Sequence, residues 1–240
     1  MPGVKWLQIA VIGCVAASLL LYFFGRGIWH PVYIKLTGKQ TVADVILSVG
    51  VDARSRLLPY FDDAGVTYPP KKITLLATKH NRQLELWARQ GGNPSLIRRF
   101  QVQAQSGVSG PKLREGDRQV PEGVYQIEGL NPNSSYHLSM KLNYPNEFDL
   151  KHAETEGRAN PGSNIFIHGK AVSIGCLAMG DEAIEELFVL VHDVGKSNVK
   201  VVIAPSDPRE STLDPSAQPE WVKDLYKIIE SEFKDYSQRN

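Results

Sequence analysis

The sequence predicts a mainly β domain with one helix behind a lone cysteine, preceded by an apolar N-terminal helix. Two observations predict the β domain. Apolar residues recur at every second position in several short runs, the period of a half-buried strand. The runs are parted by turn-forming clusters at Asn81-Arg82, Gly91-Gly92-Asn93-Pro94, Ser109-Gly110-Pro111 and Asn131-Pro132-Asn133. This repetition argues a β-sandwich or β-barrel-like core. The third observation is the run from Trp6 to Phe24, apolar apart from Gln8 and Ser18. It is close to the roughly 20 residues that cross a bilayer as a helix.

Composition sets the class. The chain has 240 residues, 42% of them apolar, enough for one well-cored domain with appendages. A net charge of +1 gives no electrostatic footprint for nucleic acid or another polyanion. There is no internal repeat and no low-complexity tract, and nothing in the chain decides its oligomeric state.

The elements follow in order. Residues 1–25 read as an uncleaved membrane anchor or, alternatively, a signal sequence. Cleavage near Ala16-Ala17-Ser18 would leave Leu19 to Phe24 exposed, and a lipobox at Val11 to Cys14 has the same defect. Lys5 lies on one side of the run, and Arg26, Lys35 and Lys39 on the other. A charge count alone therefore places the body in the cytoplasm, but long domains translocate largely regardless of such bias. Residues 26–71 read as a juxtamembrane linker and a short helical segment. Val42, Val45, Ile46 and Val49 share a helical face, and breaks are expected at Gly50 and Pro59. Residues 72–205 hold the strands: Ile73–Thr78, then alternating runs at Leu84–Ala88, Phe100–Ala104, Tyr136–Leu142 and Val199–Ile203. Ile184, Leu187, Phe188 and Val191 mark one helix, with Asp181 as its expected N-cap and Gly195 as its stop. Residues 206–240 read as a loop and an amphipathic helix through Val222, Leu225, Tyr226, Ile229 and Phe233.

Two residues carry chemistry. Cys14 lies in the apolar run, so Cys176 has no expected intramolecular partner. His168 stands eight residues before it, at the end of the strand-like Ile165-Phe166-Ile167. A thiol attacks a carbonyl as thiolate, and an imidazole can take its proton and later return it to a leaving amine. A tight hairpin through Lys170-Ala171-Val172 would join the two. A buried structural cysteine and a strand-end histidine fit the bare pair equally well. Ser173 and Gly175 weigh toward catalysis, since a glycine beside a nucleophile admits substrate and frees N–H donors at Gly175 and Cys176 for an oxyanion. The expected resting state is a coupled pair with the thiolate present at neutral pH. One Cys and one His leave a metal two ligands short, and no phosphate loop, GxSxG elbow or dinucleotide fingerprint is present. No metal or cofactor is expected.

The stretch His168-Gly169-Lys170-Ala171-Val172-Ser173-Ile174-Gly175-Cys176-Leu177-Ala178-Met179 and the following Gly180 to Leu187 resemble the catalytic signature of YkuD-type L,D-transpeptidases, in their YafK-like branch. Two more blocks are similar in the same order: Ser106 to Tyr125, with Pro121-Glu122-Gly123-Val124-Tyr125, and Asn131 to Asn146. The likeness spans residues 72–205 and implies an L,D-transpeptidase-type β-sandwich. It also implies Cys176 as nucleophile, His168 as base, Gly169 as the carbonyl that orients it, and Ser173 and Gly175 as the serine and glycine of the motif. The implied substrate is the peptidoglycan stem peptide, cut at the diamino acid–D-Ala bond outside the cytoplasmic membrane. The implied location is the periplasm, anchored in the inner membrane. Some members of this branch resemble hydrolases that use water instead of an acceptor amine, so the alternative enzyme is a cysteine amidase or peptidase that cuts peptidoglycan cross-links or protein–peptidoglycan bonds, and a non-catalytic cell-wall scaffold is the alternative of another class. The chain departs from the pattern at Ile174 and Ala178, where the family has His or Arg and Arg. Arg158 and Lys170 are expected to supply the missing positive charge, and Tyr144 and His137 are further residues expected to contact substrate.

Overall fold

The computed structural model of the protein describes residues 2–236, without the side chains of residues 2–5, 7, 19, 23, 24, 26 and 27. It holds two compact units, residues 1–41 and 42–240. The first is helical: α1, Pro2–Phe24, and α2, Arg26–Thr37. Among the described residues, no helix is long and apolar enough to cross a membrane. The expected transmembrane helix is therefore unsupported. Residues 7, 19, 23 and 24, where that expectation partly rests, have side chains outside the described ones, and what remains is not an unbroken apolar window of crossing length.

The second unit opens with α3, Val42–Asp63. The expected breaks at Gly50 and Pro59 do not occur, because both residues lie inside this one helix. Partners distant in sequence hold it. Arg54 makes a bidentate pair with Asp193 at 2.7 Å and 2.7 Å, and Arg56 reaches Glu185 at 2.9 Å and Glu186 at 3.0 Å. Its buried residues Val45, Ala53, Leu57 and Phe61 fall on one face. That burial and those ion pairs outweigh the local cost of glycine and proline.

Eight strands follow: β1 (Ile73–Thr78), β2 (Gln83–Arg89), β3 (Pro94–Gln101), β4 (Gly123–Ser134), β5 (His137–Leu142), β6 (Phe166–His168), β7 (Leu177–Ala178) and β8 (Val199–Ala204). They form one mixed sheet in the order β3-β2-β1-β8-β4-β5-β6-β7. The long β4 explains its continuity. Gly123–Gln126 pair with β8, whereas Ile127–Ser134 pair with β5, with a register irregularity at the handover. Ala104, just past β3, bridges back to Ala178 of β7, so the order closes on itself. Asn131–Asn133, expected as a turn, lie inside β4 at a second irregularity, a place where a sheet tolerates proline.

Both faces of the sheet's centre are covered. Leu75, Ala77, Leu84, Leu86, Val201 and Ile203 join the core beneath α3 and the helix α5, Asp181–Val194. Leu76, Trp87, Val202 and Ala204 point the other way. They pack on Leu225, Ile229 and Phe233 of α6, Val222–Lys234. Double coverage is why β1 is apolar almost throughout rather than alternating. One further helix, α4 (Glu147–Thr155), is absent from the sequence reading. Its signal is a capping box: the Asn146 side chain accepts from the Asp149 N–H, and the Asp149 carboxylate from the Asn146 N–H.

Candidate active site

The geometry of the Cys176 loop begins with β6 and β7. They run parallel, pairing Ile167 with Leu177 and His168 with Ala178. The link Gly169–Cys176 is therefore a crossover rather than the expected hairpin. Cys176 precedes β7 by one residue, so the register sets it beside Phe166, two positions from the partner of His168 and on the same side of the ribbon.

The crossover is tied at both ends. Lys170 adopts φ 59°, and its N–H donates to Asp181 Oδ1 at 2.9 Å while its ammonium pairs with Asp181 Oδ2. The N-cap of α5 is Gly180, not Asp181. The Asp181 carboxylate serves the crossover and still lies at the positive end of the helix dipole. At the tip, Ser173 Oγ donates to the Cys176 carbonyl at 2.7 Å and accepts from the N–H of Cys176 at 3.0 Å and of Gly175 at 3.3 Å. The two donors expected for an oxyanion are thus engaged by Ser173. Gly175 has φ 120°, and a Cβ there would stand 3.3 Å from the Gln119 carbonyl. It lets the crossover lie against the loop that ends at Val120.

His168 is buried. Its Nδ1 lies 2.6 Å from the Gly169 carbonyl, which makes Nδ1 the protonated nitrogen and leaves Nε2 as the acceptor. Burial pushes its pKa below the ordinary histidine value, only partly offset by that hydrogen bond. Burial also pushes the Cys176 thiol up, against smaller opposing effects of a Phe166 backbone hydrogen bond and the Lys112 ammonium. The two shifts favour a neutral thiol beside a neutral imidazole, not the ion pair expected from the sequence. Lys112 is itself buried, its Nζ donating to Asp117 Oδ1 at 2.6 Å and to the Arg114 carbonyl at 2.9 Å.

The four residues expected to contact substrate are engaged elsewhere. Tyr144 is buried, its hydroxyl donating to the Pro161 carbonyl at 2.8 Å. Arg158 donates to Glu156 Oε2 at 2.6 Å and to the Leu113 carbonyl at 2.7 Å. Lys170 pairs with Asp181, and His137 Nε2 lies 2.8 Å from Glu185 Oε1 on α5. Ala178 is completely buried between His168 and Ala104, so no arginine side chain has room there. Ile174 is 76% exposed and offers an apolar surface two residues before the cysteine. A residue not singled out from sequence stands on the histidine instead: the Tyr136 ring lies 4.8 Å from that of His168. Its signal was the aromatic at the start of the Tyr136–Leu142 run. A cavity of about 1460 Å³, lined by Trp87, Tyr125, Tyr144 and Phe148 among others, includes neither His168 nor Cys176.

Comparison with known proteins supplies the family. The YkuD L,D-transpeptidase catalytic domain matches residues 74–203. A protein of Escherichia coli (strain K12) named "Putative L,D-transpeptidase YafK" is 35% identical over 132 residues, 53% of this chain and 51% of that one. The chain thus spans about half the length of the curated relatives it matches. The helical cell shape determining protein Pgp2 of Campylobacter jejuni aligns with 17% identity and a TM-score of 0.46, covering 70% of this chain and 71% of that one. Bd1075 of Bdellovibrio bacteriovorus aligns with 19% identity and a TM-score of 0.43, covering 71% and 63%. Neither structural likeness is close enough to carry an argument. The domain match spans more than half of the chain and takes in both His168 and Cys176, and by it the chain belongs to the YkuD L,D-transpeptidase catalytic domain family.

Proposed function

We propose that the chain is a peptidoglycan L,D-transpeptidase with Cys176 as nucleophile and His168 as base. The observation that carries this reading is the buried imidazole, tied through Nδ1 to the Gly169 carbonyl, on the strand that pairs with the one beginning just after the cysteine. Nε2 takes the thiol proton as Sγ bonds to the carbonyl carbon of the diamino acid–D-Ala bond. The imidazolium then protonates the D-Ala nitrogen as the tetrahedral intermediate collapses to a thioester. An amine of a second stem peptide attacks the thioester, His168 accepts its proton, and the thiol is restored. A general base suits a thiol that burial keeps protonated. Gly175 and Cys176 N–H groups serve the oxyanion only if Ser173 Oγ gives them up, so Ser173 governs this step.

The substrate sets the place of action outside the cytoplasmic membrane, and the apolar run of the N-terminal sequence supports export with or without retention as an anchor. A C-terminal reporter active only in the periplasm tests this, and activity from a cytoplasmic reporter alone removes the peptidoglycan reading. The activity is tested by incubating the protein with purified muropeptides. Cross-linked dimers with release of D-Ala are expected. Shortened monomers without dimers replace the acceptor amine by water and make the enzyme a hydrolase. No change in the muropeptides, with a thiol inert to alkylation, leaves the scaffold reading.

A further inference from the structure

The turn between β4 and β5 is built around His168. Ser134 pairs with His137 across it, and the Tyr136 N–H donates to Ser134 Oγ at 3.1 Å. His137 takes φ 74°, a left-handed conformation unusual for a side chain other than glycine, and its ring is held 2.8 Å from Glu185 Oε1 on α5. The turn is thereby clamped to the helix. Its Tyr136 ring lies over the His168 imidazole, centroids 4.8 Å apart and planes tilted by 35°. The backbone closes in as well, since a Cβ on Gly169 would stand 2.7 Å from the Tyr136 carbonyl. One residue therefore packs against both the imidazole and the peptide whose carbonyl holds Nδ1.

We propose that Tyr136 is the positioning residue of His168: its ring fixes the imidazole plane and keeps water from one face, so that the Nε2 edge holds a single orientation toward the thiol. This rests on the proposed role of His168 as base. The hydrogen bond from Nδ1 to Gly169 leaves the ring free to rock about that bond, and an aromatic face packed on it removes the rocking. Asp181, which closes on Gly169, pairs with Lys170, and Glu185 pairs with Arg56 and lies 2.8 Å from His137 Nε2, while the aromatic face on the imidazole is that of Tyr136. Burial under Tyr136 accords with the lowered pKa of His168.

The test compares Tyr136→Phe, which keeps the ring, with Tyr136→Leu, which removes it. The full chain is labelled at histidine and followed by NMR, alongside turnover of muropeptides. In the wild type and Tyr136→Phe, the His168 ring protons are expected to be shifted upfield by the aromatic ring, with a titration midpoint below the ordinary ~6.5. In Tyr136→Leu, the resonance moves downfield and the midpoint rises toward that value. There kcat falls about tenfold or more while KM stays within about twofold, since the loss is one of orientation rather than binding. Tyr136→Met, apolar and flexible without a ring, is read the same way if the leucine variant folds poorly. An unmoved His168 resonance and midpoint in both ringless variants overturns the proposal, whatever the turnover. A His168 signal that moves as expected, in a protein inactive even as wild type, supports the positioning and instead overturns the proposed activity.

Discussion

Gly169→Ala isolates a single methyl group at the centre of the site. The glycine does not sit in the left-handed region, so its backbone tolerates alanine, and the substitution should stabilise the chain by about 0.4–1 kcal/mol through the unfolded state. Space opposes this. The new Cβ would stand 2.7 Å from the Tyr136 carbonyl, 2.8 Å from Asp181 Oδ1 and 3.0 Å from Ile184 Cγ2. Two of the three are held, the carbonyl in a clamped turn and the carboxylate by Lys170, so neither yields freely. Overpacking of this kind costs about 1–3 kcal/mol, and the steric term wins. Set against the gain, the net loss is roughly 0–2.6 kcal/mol, and at about 2–4 °C per kcal/mol for a unit of this size the midpoint of thermal unfolding should fall by up to roughly 10 °C. Relief of the clash requires Gly169 and its carbonyl to move, and that carbonyl holds His168 Nδ1. Turnover should therefore drop by more than the stability change accounts for, about 10–100-fold at a temperature where the variant is folded. Calorimetry and muropeptide turnover on the same preparation decide it. A variant that melts no lower than the wild type, with turnover unchanged, refutes the idea that this contact positions the base.

Three further outcomes follow from the same geometry. Cys176→Ser should keep the fold and lose turnover, because a hydroxyl is far harder to ionise than a thiol, and retention of about a tenth of the wild-type rate would sink the nucleophile assignment. The rate of iodoacetamide alkylation of Cys176 should rise only at alkaline pH, since burial raises the thiol pKa, and His168→Asn should abolish turnover while leaving that alkylation profile nearly in place. Fast alkylation at neutral pH that collapses in His168→Asn would instead establish an ion pair. Finally, burial raises the Asp149 carboxyl to about 6, above its unfolded value of 3.8, so the folded state binds the extra proton between those values. Its contribution to stability is full below the unfolded pKa and is lost as pH rises through about 6. Asp149→Asn should remove that component from a stability–pH curve, and an identical curve refutes it.

The strands were legible where one period dominates. Leu84, Leu86 and Ala88 alternate because they face the core under α5. The C-terminal helix was legible for the same reason, since Val222, Leu225, Tyr226, Ile229 and Phe233 make one stripe. What escaped was structure decided by distant partners. Gly50 and Pro59 read as breaks because their local cost is visible in the sequence, whereas Asp193, Glu185 and Glu186, which hold α3 through Arg54 and Arg56, lie more than a hundred residues away. The continuity of β4 through Asn131-Pro132-Asn133 escaped likewise. Its two halves serve different neighbours, and no local pattern announces that. Helix α4 had a local signal in Asn146 and Asp149, but its stripe is short and its exposed residues hide the period.

At the candidate site, residue types were legible and electrostatics were not. Cysteine, histidine, serine and glycine in close sequence suggested a pair that exchanges a proton. Whether that pair rests as ions or as neutral groups depends on burial, and burial is a property of the fold. His168 sits under the Tyr136 ring between β5 and β7, and Cys176 lies at the foot of β7, so both lose solvation and both prefer to be uncharged. The same folding gives partners within the chain to three of the residues expected to contact substrate. Lys170, Arg158 and His137 lie near the motif in the chain or in the sheet, and each is in contact with a carboxylate of this chain: Asp181, Glu156 and Glu185. Ile174 stands exposed two residues before Cys176, and the N–H groups of Gly175 and Cys176 are held by Ser173 Oγ.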